Sequence, residues 1–346
     1  MTQSNAPENK IIKEIFRIFF NIIRTIAAPA MVYLFFYAVT SAAGVQGFGT
    51  GADFKTMIMS TVYNGFIALA MSYNLTSGRF DFSVGSVMLL AVILGCTWTI
   101  QFNLGAVAML LLIVVIGMVL GLGSGLVYTT LKLPPMITSL GVAMVYEAIA
   151  FALNNSEGVK MLSKFNLLVY ARMPGNLILM GVALLILIYL LNFTKFGYNT
   201  KSLQSGQKNA VEVGVNEKRN AVACFVLAGA LMGCAGAVFV SQYGIVQPKM
   251  GLASSSVFMG AFLPLFIGGA LAKYSDRNIG IVMGAFIQAT ISSGLVKLGF
   301  SNSLQTVING LIVLFFLVYV SNAYKFVLAK MHKIKKAKAN LVKDER

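Results

Sequence analysis

Two carboxylates stand where almost everything around them is apolar: Asp81, just before Ser83, and Glu147, inside the run from Met136 to Leu153. A charge at the centre of a bilayer costs on the order of 3 kcal/mol, so such a group faces a cavity, a partner or a cation, or gives up its charge. For Asp81 two structural alternatives stand beside a role in carrying a proton or cation. It can pair with Arg79, or it can cap a helix that begins near Ser83. Glu147 has no basic neighbour in sequence, and reads either as protonated and silent or as lining a conduit.

A second group lies in the polar segment 204–216, Gln-Ser-Gly-Gln-Lys-Asn-Ala-Val-Glu-Val-Gly-Val-Asn. A short helical core is expected around Asn209–Val213, stopped by Gly214, a residue type that readily closes a helix. A short exposed helix can dock into a groove on a partner, and a solvated connector is the alternative. Catalytic chemistry is missing by comparison. The 346 residues hold no Gly-x-x-x-x-Gly-Lys-Ser/Thr phosphate loop, no Gly-x-Ser-x-Gly elbow and no His-Glu-x-x-His. Cys96, Cys224 and Cys234 sit inside apolar runs and read as packing residues, while His332 stands alone in a lysine-rich tail. No metal site, no bound cofactor and no nucleotide hydrolysis by this chain alone are expected.

The elements that carry these residues follow from composition. Hydrophobic residues make up 58% of the chain and charged residues 11%, with a mean hydropathy of +0.80. A soluble domain would carry charge on about a quarter of its residues. Continuous apolar runs such as 104–131 and 307–320 lack the alternation of a membrane β-barrel, and a bilayer is crossed by roughly 20 apolar residues in a helix. An all-α membrane protein is therefore expected. Its ten candidate spans are 26–45, 57–75, 83–101, 104–131, 136–153, 176–193, 220–241, 254–272, 278–297 and 303–323.

Before the first span, Lys10, Lys13, Glu14, Arg17, Asn21 and Arg24 recur at three- and four-residue steps opposite Ile and Phe. Residues 1–25 thus read as an amphipathic helix in the membrane interface. A cleaved leader, ending at the small residues Ser41, Ala42 and Ala43, is the alternative. With the N-terminus cytoplasmic, only Lys55, Lys160, Lys164, Arg172, Lys249 and Lys297 of the 27 lysines and arginines fall outside, which places both termini inside. The net charge of +16 is this orientation signal, with the basic tail 324–346 resting on anionic headgroups, and nucleic acid is not an expected partner. The cytoplasmic loop 194–219 follows six of these spans and precedes four. Gly117, Gly121 and Gly125, Gly229 and Gly233, and Gly280 and Gly284 have the spacing that lets helices approach closely in lipid.

Four segments resemble one family, the permease subunits of bacterial ABC importers of the ribose, xylose and galactose type, within the wider branched-chain permease family. Thr76–Ser86 is similar to its Gly-Gly-Ile-Asp-Leu-Ser-Val-Gly-Ser stretch, and Met136–Gly141 to the start of its fifth span. Phe196-Gly197-Tyr198 with the loop through Ala210 and Gly214 is similar to its Gly-x-Asn-x-x-Ala-Ala-x-x-Ser-Gly-Ile loop. Leu227–Gly236 and Gln247-Pro248 resemble its Gly-rich seventh span and exit. The likeness runs from residue 55 to 322. Arg79 and Phe80 depart from a Gly-Ile pair, Glu147 stands where the family often has Arg, and Lys273–Arg277 replaces a Gly/Ser-rich turn.

The resemblance implies a type II ABC importer-like permease in the cell membrane, about ten spans within 26–323, that moves a small polar solute, a monosaccharide first. It implies ATP-binding subunits that carry ATP and magnesium, an extracytoplasmic solute-binding protein, and a second permease chain, with a homodimer expected over a heterodimer. Gln207, Asn209, Ala210, Glu212 and Gly214 would then couple to the ATPase. Asp81, Ser83, Glu147, Gln288 and Asn309 are the candidate translocation path. The alternatives are a permease for nucleosides or another small solute, an ion-coupled secondary transporter using Asp81 or Glu147, and a membrane scaffold that transports nothing.

Overall fold

In hydrocarbon every backbone polar group needs a partner within the protein, so long apolar runs fold as helices. The computed structural model describes residues 6–45, 47–319 and 322. Its helices are α1 (Ala6–Ala42), α2 (Gly51–Thr76), α3 (Val84–Gln101), α4 (Ala106–Leu131), α5 (Pro135–Ala152), α6 (Gly175–Phe193) and α7 (Lys195–Ser205). They continue with α8 (Gln207–Glu212), α9 (Glu217–Tyr243), α10 (Ser256–Gly260), α11 (Phe262–Leu271) and α12 (Arg277–Lys297), then α13 (Asn302–Tyr319). Two short strands, β1 (Val159–Lys160) and β2 (Ile245–Val246), pair antiparallel, Val159 facing Val246 and Lys160 facing Ile245.

Among the described residues nine stretches are long and apolar enough to cross a membrane, against ten expected. The difference is α2. It is about 39 Å long at 1.5 Å per residue, but it carries Asp53, Lys55, Asn64 and Asn74, and every residue from Gly65 to Asn74 is buried. It packs chiefly on α9 and α12, so protein rather than lipid surrounds it. Three other expectations change. Residues 1–25 are not set off from the first span: α1 runs unbroken from Ala6 through Pro29 to Ala42. The span 254–272 is two helices, α10 and α11, parted at Ala261 and preceded by a 3₁₀ turn at Ala253–Ser255. Loop 194–219 holds α7 as well as α8. The tail 324–346 and the side chains of Lys10, Lys13 and Glu14 lie outside the described residues.

Glycines set the closest helix contact. A Cβ on Gly229 would lie 2.1 Å from the Gly117 carbonyl oxygen, and one on Gly121 would lie 2.3 Å from that of Phe225. Only hydrogen fits between α4 and α9, the role their spacing predicts. Gly284 does the same against Pro264 at the start of α11. The far sides of α4 and α6 expose Leu111, Val115, Val119, Leu177, Ile178, Leu185 and Ile186, an apolar surface suited to lipid tails.

Residues up to Leu298 form one unit with two opposite loop faces. On one, the β1–β2 ladder joins the connections 153–174 and 244–252, and Lys297 pairs with Asp53 at 3.0 Å. On the other, Tyr73 donates to Asn278, Asn192 donates to Asp276 at 3.2 Å, and Arg277 donates to Gln204 at 3.1 Å. The grouping matches the one expected from the basic residues. We call these the ladder face and the α8 face. Residues from Gly299 on form a second unit, in which Gln305 donates to the Phe300 carbonyl.

Candidate functional site

A cleft of about 700 Å³ opens on the ladder face between α2, α3, α9 and α10. Its aromatic side is Tyr63, Phe239 and Tyr243, with ring centroids 5.6 Å apart for the first pair and 4.7 Å for the second. Its polar side is Asn64, Gln247, Lys249 and Ser256. Amides and a hydroxyl both donate and accept hydrogen bonds, an ammonium donates, and flat rings cover the apolar face of a small ring. The volume is that of an ordinary small-molecule site. No carboxylate is among the lining residues, so nothing there would pair with a cationic solute.

Local sequence builds these walls. Gly244 takes the left-handed conformation (φ 68°) and its N–H reaches the Val240 carbonyl at 2.8 Å, which ends α9 and releases the chain into β2. On the opposite wall, Gln288 of α12 donates to the Gly260 carbonyl at 2.8 Å, a group whose partner four residues on would be Pro264, which has no N–H. Toward the start of α3 the cleft is backed by packed rings: Phe258, 1% exposed, meets Phe82 tilted at 4.5 Å and Phe262 edge-to-face at 4.9 Å.

The candidate path residues are not gathered in this cleft. Asp81, 4% exposed, accepts from the Ser83 N–H at 2.9 Å and from the Ser83 Oγ–H at 2.6 Å, at the entry to α3. Ser83 Oγ also lies 3.4 Å from Ser124 Oγ. This is a local turn just ahead of α3 and not a cap: Ser83 is the N-cap, and no side chain accepts from the first-turn N–H groups. The Arg79 alternative is corrected: among the described residues the two form no ion pair, because the guanidinium turns toward α9, with Nη2 3.8 Å from Cys224 Sγ. Glu147, 2% exposed, accepts one backbone N–H on each oxygen, from Leu252 and from Ser254, both at 2.8 Å. Gln288 stands behind the cleft wall, and Asn309 lies on α13 in the second unit.

Tyr63, Asn64 and Lys249 were missed. Asn64 carries a usable signal, an amide inside an apolar run, the same signal that Gln288 and Asn309 carry. Gln247 had been noted with Pro248 as the exit of a span.

On the α8 face, Thr194 caps α7 and Asn216 caps α9, each accepting from the N–H three residues on. Between them α8 is a short arm. Ala210 is buried at 4% exposure, Gly214 turns the chain at φ 92°, and Val213 stands 80% exposed. Gln207, Asn209 and Glu212 are exposed, and Gln207 donates to Glu217 at 2.5 Å. A second cleft of about 520 Å³, lined by Lys195, Asn199 and Arg219 among others, adjoins the arm. The arm thus offers an apolar tip ringed by polar groups on an anchored base.

The family described as branched-chain amino acid transport system, permease component, matches residues 54–317. The ribose import permease protein RbsC of Bacillus subtilis (strain 168) is 29% identical over 265 residues, 75% of this chain and 81% of that one. The L-arabinose transport system permease protein AraH of Escherichia coli (strain K12) is 29% identical over 289 residues, 80% and 84% of the two chains. The autoinducer 2 import system permease protein LsrC of Photorhabdus laumondii is 30% identical over 261 residues, 73% and 77%. No solved structure matches.

Proposed function

The chain belongs to the branched-chain amino acid transport system permease component family, and from that premise we propose that it is the multi-pass, non-catalytic subunit of an ATP-driven importer for a monosaccharide. The observation that carries the solute class is the cleft on the ladder face: aromatic rings beside amides and one ammonium, with no carboxylate among its lining residues. A neutral, hydroxyl-rich ring fits that chemistry, and a free amino acid would leave its ammonium group unpaired. Matched relatives that import ribose and arabinose support the same class.

In this reading the α8 face and both termini are cytoplasmic, as the basic loops require. ATP-binding subunits holding ATP and magnesium engage α8 through Gln207, Asn209, Ala210, Glu212 and Gly214. An extracytoplasmic binding protein delivers solute to the ladder face of the cell membrane, and a second copy of the chain completes the unit. The ATPase moves the cleft only by binding one conformation of α8 more tightly than the other, since a ligand shifts an equilibrium by its differential affinity alone.

The test is purification from the native membrane followed by reconstitution in vesicles. An ATPase subunit co-purifies, uptake requires ATP, and replacing residues 207–213 by a Gly/Ser stretch abolishes uptake. Solute accumulation by the purified chain alone without nucleotide, or full uptake after the replacement, overturns the reading.

A further inference from the structure

We propose that Glu147 is a positioning residue for solute passage, acting on the cleft through the turn at 252–255 rather than by touching solute. The proposal rests on reading the cleft as the solute's station. The chain lines the cleft with Gln247–Lys249, leaves it, and returns to line it again with Ser256, Val257 and Gly260. Between those two passages it dips into the protein, where Ser254 is fully buried.

Two features hold the dip. The Leu252 and Ser254 N–H groups donate to Glu147 at 2.8 Å, one to each carboxyl oxygen, and among the described residues no other acceptor serves them. The Ser254 carbonyl rests on Gly85, where a Cβ would approach to 2.1 Å. The turn is therefore pinned between α5 and α3 by its backbone, and the Ser255 hydroxyl closes it from within by donating to the Leu252 carbonyl at 2.6 Å. Leu252 is left-handed (φ 63°), a conformation that a leucine keeps only when its surroundings impose it.

A buried N–H that loses its acceptor bears the full cost of its desolvation. Glutamine at 147 keeps one acceptor and turns an NH₂ toward the other N–H, while aspartate is one methylene too short to reach both. Releasing the turn frees the wall at Ser256–Gly260, so solute binding suffers while the α8 face is untouched.

The experiment uses the assembled importer in lipid nanodiscs and vesicles, comparing wild type with Glu147→Gln, Glu147→Asp and Leu252→Gly. Amide hydrogen exchange is followed over 247–260, and uptake gives KM and the maximal rate separately. Both Glu147 variants should speed exchange at 252–256 about tenfold or more, the effect of one lost hydrogen bond to a charged group. KM should rise several-fold, with the maximal rate held within about twofold. Leu252→Gly keeps both acceptors, so its exchange at 252–256 should rise less than in either Glu147 variant. Unchanged exchange or unchanged KM in both Glu147 variants overturns the proposal. So does abolished uptake in Glu147→Gln with unchanged exchange, the signature of an ion carrier. If the wild-type importer shows no ATP-dependent uptake, the functional reading fails by itself, and exchange at 252–256 still decides the clamp.

Discussion

The α-carbon of Gly85 lies so close to the carbonyl oxygen of Ser254 that a methyl group there would stand 2.1 Å from it. Neither backbone can withdraw cheaply, since Ser254 is held from its other side by Glu147. Gly85→Ala should destabilise the protein by about 1–3 kcal/mol, the usual cost of overpacking. Thermal unfolding in detergent checks it against Gly181→Ala, a mid-helix position with nothing within 4 Å of the new Cβ. That control should be neutral or slightly stabilising, because alanine suits a helix interior better than glycine.

Asp81 offers a clean separation of a local turn at the entry to α3 from ion transport. Asparagine keeps an oxygen that can accept from the Ser83 N–H, whereas alanine does not. Asp81→Asn should retain ATP-driven uptake close to wild type, and Asp81→Ala should cost about 1 kcal/mol of stability. Uptake abolished by Asp81→Asn, in protein as stable as wild type, would speak for a proton or cation carried at this position.

The cleft predicts selective effects on affinity. Tyr63→Ala and Asn64→Ala each remove one group that faces its interior. Loss of one hydrogen bond, about 1 kcal/mol net, is about a fivefold effect, so KM should rise by that order with the maximal rate little changed. Uptake kinetics over a range of loaded binding-protein concentrations would show it.

On the α8 arm two neighbours should behave oppositely. Val213 is 80% exposed, so Val213→Asp leaves folding intact and weakens ATPase docking. Ala210 is buried, so Ala210→Arg disturbs the arm itself and lowers the unfolding temperature. Co-purification of the ATPase and thermal unfolding, measured on both variants, should separate the two effects.

Much of the architecture was legible before any coordinates. Apolar runs located most of the helices, because length and hydropathy in a bilayer leave few alternatives, although α1 begins twenty residues before its expected span. The glycine spacings on α4 and α9 named a contact that the structure shows carbonyl against α-carbon. The break at Ala261 and the length of α7 were not legible, since neither changes the hydropathy. The cleft was hidden for a different reason. Tyr63, Met88, Phe239, Lys249 and Ser256 come from four helices and a loop, and no spacing along the chain links them. Buried acids drew notice in sequence, yet Asp81 and Glu147 turned out to bind backbone, which sequence does not display.

The two-residue β1–β2 ladder has a mechanical meaning. It stitches the connection between α5 and α6 to the one that follows α9, and Gly158 lets the strands close up, with a Cβ there 2.1 Å from the Val246 oxygen. Those two connections are thus buttoned together on the ladder rim. Any rocking that vents the interior toward the α8 face can pivot on this seam, whereas parting the ladder rim would first have to unfasten it.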